Sequence, residues 1–278
     1  MINLTDYLDR LSIIKVLSFF LLVILVLTLI PMIFDFYLGS LSFKLFLYGI
    51  MLLFFIYKFN SVYKKFYSDS ADSENNYPLD AFYNDLNSIF KVSKIYHILF
   101  IVIANILFVS AIYFILRYLG SLSLIPFDSP LFGDFTYLNE DIVSIYFLSI
   151  VILSPIIEEL LFRGIFLRRL NFEFNNLTLA ILVSSLLFGI CHNFGGILGA
   201  ILFGICVSIL YVKSKNILVP ILAHFLNNLI SFLLALVGIE NFILGNNLII
   251  ILIIILAILT NFVLFRAIIK EWPKEFKK

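Results

Sequence analysis

IVSIYFLSIVILSPIIEELLFRGIFL, residues 142–167, decides how this chain folds. A helix needs about 20 apolar residues to cross a hydrocarbon core of about 30 Å, and this run exceeds that length. It is continuously Leu, Ile, Phe and Val, without the alternation of a lipid-facing barrel strand, so a membrane-spanning helix is expected. Seven further runs of the same kind lie at about 11–34, 42–60, 95–118, 177–193, 196–213, 217–237 and 247–267. Composition agrees. Of 278 residues, 62% are hydrophobic and 13% charged, with 32 Phe and 14 Tyr, and the mean hydropathy is +1.09. Soluble domains hold about 45–50% apolar and about 25% charged residues. A water-soluble globule is excluded, and the fold class expected is an all-α polytopic membrane protein of eight spans.

The fifth and sixth runs are the shortest, at about 17 residues each. Only Asn193-Phe194-Gly195 joins them, so they are expected to form a hairpin that stops short of the outer surface. The polar stretch 61–94, with the turn-rich Ser68-Asp69-Ser70-Ala71-Asp72-Ser73-Glu74-Asn75-Asn76, divides the chain into a two-span part, 1–94, and a six-span part, 95–278. No internal repeat is visible, which argues against an inverted-repeat transporter. Of the 19 Lys and Arg, only Lys44 and Arg117 fall on the outer side if both termini are cytoplasmic, and Arg163 lies within a span. A multi-pass protein of a cell membrane or endomembrane, with N- and C-termini inside, is therefore expected. The loop 120–141 carries Asp128, Asp134, Glu140 and Asp141 and no Lys or Arg. Net charge is +1, which offers no basis for a nucleic-acid partner and leaves lipid as the evident one. Cys191 and Cys206 both fall in apolar runs and read as small buried hydrophobes. The first run lacks a small-residue cleavage site and reads as an uncleaved span.

Once loop and span-end charges are set aside, Glu158, Glu159 and Arg163 remain deep in one helix. Ionisable groups in hydrocarbon cost several kcal/mol, roughly, and face a cavity or a partner. Glu159 and Arg163 stand at i and i+4 with the acid first, the favourable order for an ion pair. Glu158 is turned about 100° away and is left to face a cavity. Pro155 removes a backbone hydrogen bond one turn before them. In the fifth run Phe188 and His192 share a face, and in the seventh His224 and Asn228 do the same. His97 belongs to neither pair and is expected at the membrane interface. Each pair alone reads equally well as helix packing. Together they offer a carboxylate, two imidazoles and an amide on three helices.

Glu158-Glu159-xxx-Arg163, Phe188-xxx-His192 and His224-xxx-Asn228, in this order on successive spans, resemble the three motifs of the CPBP family of intramembrane proteases. That family is related to the type II CAAX prenyl endopeptidase and to bacteriocin-processing and immunity proteins. The resemblance covers about residues 140–240 and implies a protease core in spans four to seven. It implies that Glu158 and His192 activate a water, that His224 and Asn228 donate to the oxyanion, and that Glu159, Arg163 and Phe188 support them. The substrate implied is a membrane-associated peptide or a prenylated, CAAX-type protein. A zinc site would use Glu158, His192 and His224, but Asn228 suits an oxyanion donor better than a ligand. The resemblance also points to a glutamate-type mechanism without a cofactor. A non-catalytic immunity or binding protein, or a proton-coupled transporter, are the alternatives.

Depth raises a difficulty. Glu158 stands about 13–15 Å from the end of its helix if that end is Arg168, and His192 about 22–25 Å from the start of its own, at 1.5 Å per residue. Either the fourth helix protrudes into the cytoplasm or the fifth tilts. With a short hairpin, the site is expected in the cytoplasmic half of the membrane.

Overall fold

The computed structural model describes residues 3–34, 39–66, 77–127, 131 and 139–273, and every regular element among them is a helix. Residues 67–76, Asp128, Asp134, Lys274, Lys277 and Lys278, to which part of the sequence reading applies, lie outside the described residues. In chain order the helices are α1 (Leu4–Asp9), α2 (Ile13–Ile33), α3 (Ser40–Phe66), α4 (Pro78–Val92) and α5 (Ile95–Ser121). The helix α6 runs from Glu140 to Phe174. It is followed by α7 (Leu177–Ile190), α8 (Ile197–Ser214), α9 (Leu218–Leu236), α10 (Ile239–Leu244) and α11 (Asn247–Glu271). Among the described residues seven helices are long and apolar enough to cross a membrane, and the chain is an all-α, multi-pass membrane protein.

The fifth expected span is the exception. With 14 residues, α7 is about 21 Å long at 1.5 Å per residue, too short to cross. It pairs with α8, and the turn between them is tight. A Cβ on Gly189 would meet Ile201 Cγ1 at 2.3 Å and the Ile197 carbonyl at 3.1 Å, so the close approach requires glycine.

The fourth span is longer than its apolar run suggests. Asn139 caps its start by accepting from the Ile142 amide at 2.9 Å, with Glu140 and Asp141 in the first turn, where the helix dipole favours acids. Its end is set by Asn175 in the left-handed conformation, φ 46°, and Asn176 caps α7 by accepting from the Leu179 amide at 3.0 Å. Two stretches of wide, π-type turns, Phe147–Leu153 and Leu160–Leu167, flank Ser154–Glu159. Pro155 has no N–H to close the ordinary turn, and wide turns of this kind gather at functional sites. Carbonyls in both stretches accept from neighbouring helices, Ile150 from Asn228 Nδ2 at 2.9 Å and Phe162 from Ser184 Oγ at 3.0 Å.

The extension of α6 past Arg168 removes the depth difficulty. Glu158 and His192 are each 17 residues from Asn175, one before it and one after, so the α6–α7 hairpin brings them level.

One core joins the front of the chain to the back. Tyr7, Met51 and Phe55 pack with Ile157, Leu161, Ile181 and Tyr211. By contrast α2 and α11 turn rows of large apolar side chains outward, Leu21, Leu25 and Leu29 on one and Ile251, Ile255 and Ile258 on the other, as suits helices facing lipid.

Part of the polar stretch 61–94 is helical. The helix α4 buries Ala81, Asp85 and Ile89 and exposes Leu79, Phe82, Leu86 and Phe90. An apolar outer stripe on a helix too short to span is the pattern of one lying in the plane of a membrane surface. Its inner face is anchored by hydrogen bonds. Asp85 Oδ2 accepts from the Leu4 amide at 3.0 Å, and Asn216 Nδ2 donates to the Asp85 carbonyl at 2.6 Å. Burial pushes the Asp85 carboxyl up to about 6, the Leu4 amide opposing and the nearby Asp6 charge adding. The folded protein thus holds this proton more tightly than the unfolded chain. The docking of α1 on α4 is expected to strengthen as pH falls from about 7 towards about 4, and to lose that gain as pH rises through about 6. Thermal unfolding of detergent-purified protein across this range checks it: Asp85→Asn removes this component, and parallel curves for the two proteins would exclude it.

Cys191 is exposed just past the end of α7, and Cys206 is buried. The reading of both as buried hydrophobes therefore holds for Cys206 alone, because α7 ends before Cys191. His97 is exposed beside Tyr96 at the start of α5.

Candidate active site

The three wide-spaced sequence pairs meet around one aromatic ring. Glu159 is fully buried and its Oε1 accepts from Arg163 Nη1 at 2.8 Å, which is the i, i+4 ion pair expected from sequence. The same oxygen is 2.8 Å from His224 Nδ1 on α9. Arg163 is also fully buried and donates through Nη2 to the Gly204 carbonyl of α8 at 3.1 Å. A Cβ at Gly204 would sit 3.1 Å from that Nη2 and from Ser185 Cβ, so a bare backbone is needed where α6, α7 and α8 converge. The Phe188 ring lies 4.4 Å from the guanidinium, 4.7 Å from the His192 ring and 5.6 Å, edge to face, from His224. A buried cation over an aromatic face is a stabilising contact.

The two neighbouring glutamates have opposite environments. Glu159 has a guanidinium and an imidazole. Among the described residues Glu158 has no cation within ion-pair distance; its Oε1 accepts from Tyr48 Oη of α3 at 2.7 Å and from Ser154 Oγ one turn earlier. It is half-buried, where Glu159 is sealed. Arg163 thus pairs with Glu159 and not with Glu158, as the spacing predicts, and two hydroxyls hold one oxygen of Glu158.

His192 stands just beyond the last turn of α7, and its Nδ1 is 2.9 Å from the Phe188 carbonyl. A carbonyl only accepts, so Nδ1 carries the hydrogen and Nε2 is left to act as an acceptor. No direct hydrogen bond joins His192 to Glu158, although the Glu158 charge acts on the ring. His192 borders a cavity of about 490 Å³ shared with Val109, Tyr113, Pro126, Phe127 and Asn193. Pro126 and Phe127 belong to the α5–α6 connection, at the end of the bundle away from Arg168, Lys213 and Lys215. The cavity beside His192 therefore opens away from the basic half on which the site is expected. The reason is that His192 sits in the α7–α8 turn itself, which faces that connection. A larger apolar cavity of about 750 Å³ lies elsewhere, among α1, α3, α4, α6 and α9, with Ile156 and Leu160 in its wall.

Asn228 follows His224 by one turn on α9, as expected, but its amide is directed at Ile150 of the first wide-turn stretch. Its Oδ1 accepts from Asn227 Nδ2 at 3.4 Å, and Asn227 in turn accepts from Asn105 of α5 at 3.1 Å. The sequence reading did not single out Tyr48, Ser154 or Asn227. Ser154 is at i−4 from Glu158 and could have been found by the spacing used for Glu159 and Arg163. Tyr48 could not, since it is 110 residues away in a run rich in aromatics.

As ligands for a metal, these groups do not assemble. No three His, Cys, Asp or Glu side chains among the described residues are grouped to hold one ion. Glu158, His192 and His224, the zinc alternative, each have a separate partner: two hydroxyls, the Phe188 carbonyl and Glu159.

Residues 141–230 match the family model for type II CAAX prenyl endopeptidase Rce1-like proteins. The chain is also 36% identical over 92 residues to the protein named "Putative membrane peptidase YdiL" of Bacillus subtilis (strain 168), a match covering 33% of this chain and 37% of that protein. The match thus spans little more than a third of the relative's length. No solved structure matches the chain.

Proposed function

We propose, from the match of residues 141–230 to the Rce1-like family model and the likeness to a membrane peptidase, that the chain is an intramembrane endopeptidase of the CPBP family that hydrolyses a peptide bond in a membrane-associated peptide or a prenylated, CAAX-type protein. The observation that carries the reading is the contrast between the two glutamates. Glu159 is committed to Arg163 and His224, whereas Glu158 has two hydroxyl donors and no ion-pair partner among the described residues, and its charge acts on the imidazole of His192. A carboxylate with no cation of its own is the one able to take a proton.

In this reading a water between Glu158 and His192 is deprotonated as it attacks the scissile carbonyl, and the proton passes to the leaving amine. Such general base and acid transfers contribute about 10²–10⁴-fold. His224 presents Nε2 to the oxyanion, because Nδ1 is taken by Glu159. It donates there as the imidazolium, with Glu159 as its counter-ion. Asn228 supplies the second donor through the amide hydrogen not directed at Ile150. Donors aimed at developing charge are worth a few kcal/mol each, roughly. The reaction in this reading is of the glutamate type, with Glu158 as the base and no metal cofactor.

The test is cleavage by detergent-purified protein of fluorescence-quenched peptides, one apolar and unmodified, one ending in an S-farnesylated CAAX tail. Glu158→Ala and His192→Ala are each expected to lower the rate by at least about 100-fold, and a chelator to leave the wild-type rate intact. Mutants as active as wild type would sink the site; loss of activity to the chelator would sink the metal-free mechanism.

A further inference from the structure

We infer that Tyr48 is the positioning residue for the Glu158 carboxylate, an inference that rests on the protease reading above. It would make α3, which lies outside the family-matched segment 141–230, part of the active centre.

Tyr48 Oη donates to Glu158 Oε1 at 2.7 Å, the length of a charge-assisted O–H···O⁻ bond. The bond is tertiary, across 110 residues, and rigidly mounted. Tyr48 packs against the same core as Leu47, Met51 and Phe55 of its own helix and Ile157 and Leu161 of α6. The phenol ring has only two side-chain torsions to fix. Ser154 donates to the same oxygen from the preceding turn of α6. With both hydroxyls on Oε1, the carboxylate is turned so that Oε2 is the oxygen free to receive the proton of a water.

The chemistry of the donor matters as much as its place. A lysine or arginine here would neutralise the carboxylate, as Arg163 does for Glu159. A hydroxyl stabilises and orients the anion while leaving its charge in place, which is what a base needs. Around Glu158 the other ionisable neighbours are Arg163, one turn on and paired with Glu159, and Cys191 and His192 of the α7 end; none of the three is hydrogen-bonded to it. Tyr48 and Ser154 are its hydrogen-bond donors among the described residues.

Two readouts on the full-length protein test this. The carboxylate stretch of Glu158, identified in the infrared by its loss in Glu158→Gln, is expected to move in Tyr48→Phe; a band that stays in place overturns the inference. In cleavage of the quenched peptides, Tyr48→Phe is expected to lower kcat by about 10- to 100-fold with KM within about twofold, as for a misplaced catalytic group. An unchanged kcat with Glu158→Gln inactive overturns the role of Tyr48 and leaves the protease reading standing. Full activity of Glu158→Gln overturns that reading itself, and the role of Tyr48 with it. If Tyr48→Phe does not fold, a fluorinated tyrosine at position 48, which keeps the ring and alters the hydroxyl's donor strength, must move the Glu158 band; failure to do so again overturns the inference.

Discussion

Arg163→Leu is expected to destabilise the protein by about 3–5 kcal/mol, the cost of stranding one partner of a buried ion pair. Arg163 and Glu159 are both fully buried, so neither can recover its solvation by turning to water. Removing the guanidinium leaves the Glu159 carboxylate with His224 as its remaining hydrogen-bond partner and the Gly204 carbonyl with Ser208 Oγ, at 2.7 Å. It also strips the cation from the Phe188 ring. The present pairing is already economical in contacts, since Glu159 Oε2 and Arg163 Nε are buried without partners. Thermal unfolding of the detergent-purified protein measures the loss, and the double variant Arg163→Leu/Glu159→Leu is expected to recover part of it because the stranded carboxylate is removed with its partner. A single variant within about 1 kcal/mol of wild type would show that the pair is not sealed as described.

Phe188→Ala is the second large effect, about 3–5 kcal/mol for emptying a buried aromatic site. The ring is 1% exposed and is walled by Arg163, His192, His224 and, at 5.3 Å, Phe162. Its loss opens a gap that these side chains can enter, so the spacing between the two histidines is no longer defined. Activity is expected to fall with stability, and Phe188→Leu, which refills much of the volume, is expected to restore stability further than it restores the rate. If Phe188→Ala keeps the wild-type rate at low temperature, where it is folded, the ring does not set the geometry of the histidines.

Much of this site is visible along the chain because its elements are local. Glu159 with Arg163, Phe188 with His192 and His224 with Asn228 are all i, i+4 pairs, and helical periodicity alone puts each on one face. Eight apolar runs were legible for the same reason. The errors arose where length or partner depends on something else. The end of α6 is set by Asn175 and not by the first basic residue, so the helix continues past Arg168. The opposite holds for α7, which stops at Ile190 because the Gly189 turn packs against α8, leaving Cys191 exposed and His192 facing the α5–α6 connection.

The sequence by itself determined that this is a helical membrane protein with carboxylates, imidazoles and an amide in or beside successive apolar runs, since hydropathy and helical spacing are properties of neighbouring residues. Only the tertiary structure decided how the two adjacent glutamates differ. Glu159 meets His224 from 65 residues away, and Glu158 meets Tyr48 from 110. Such contacts depend on how helices cross and how deep each sits, which is settled by the packing of the whole bundle around Phe188.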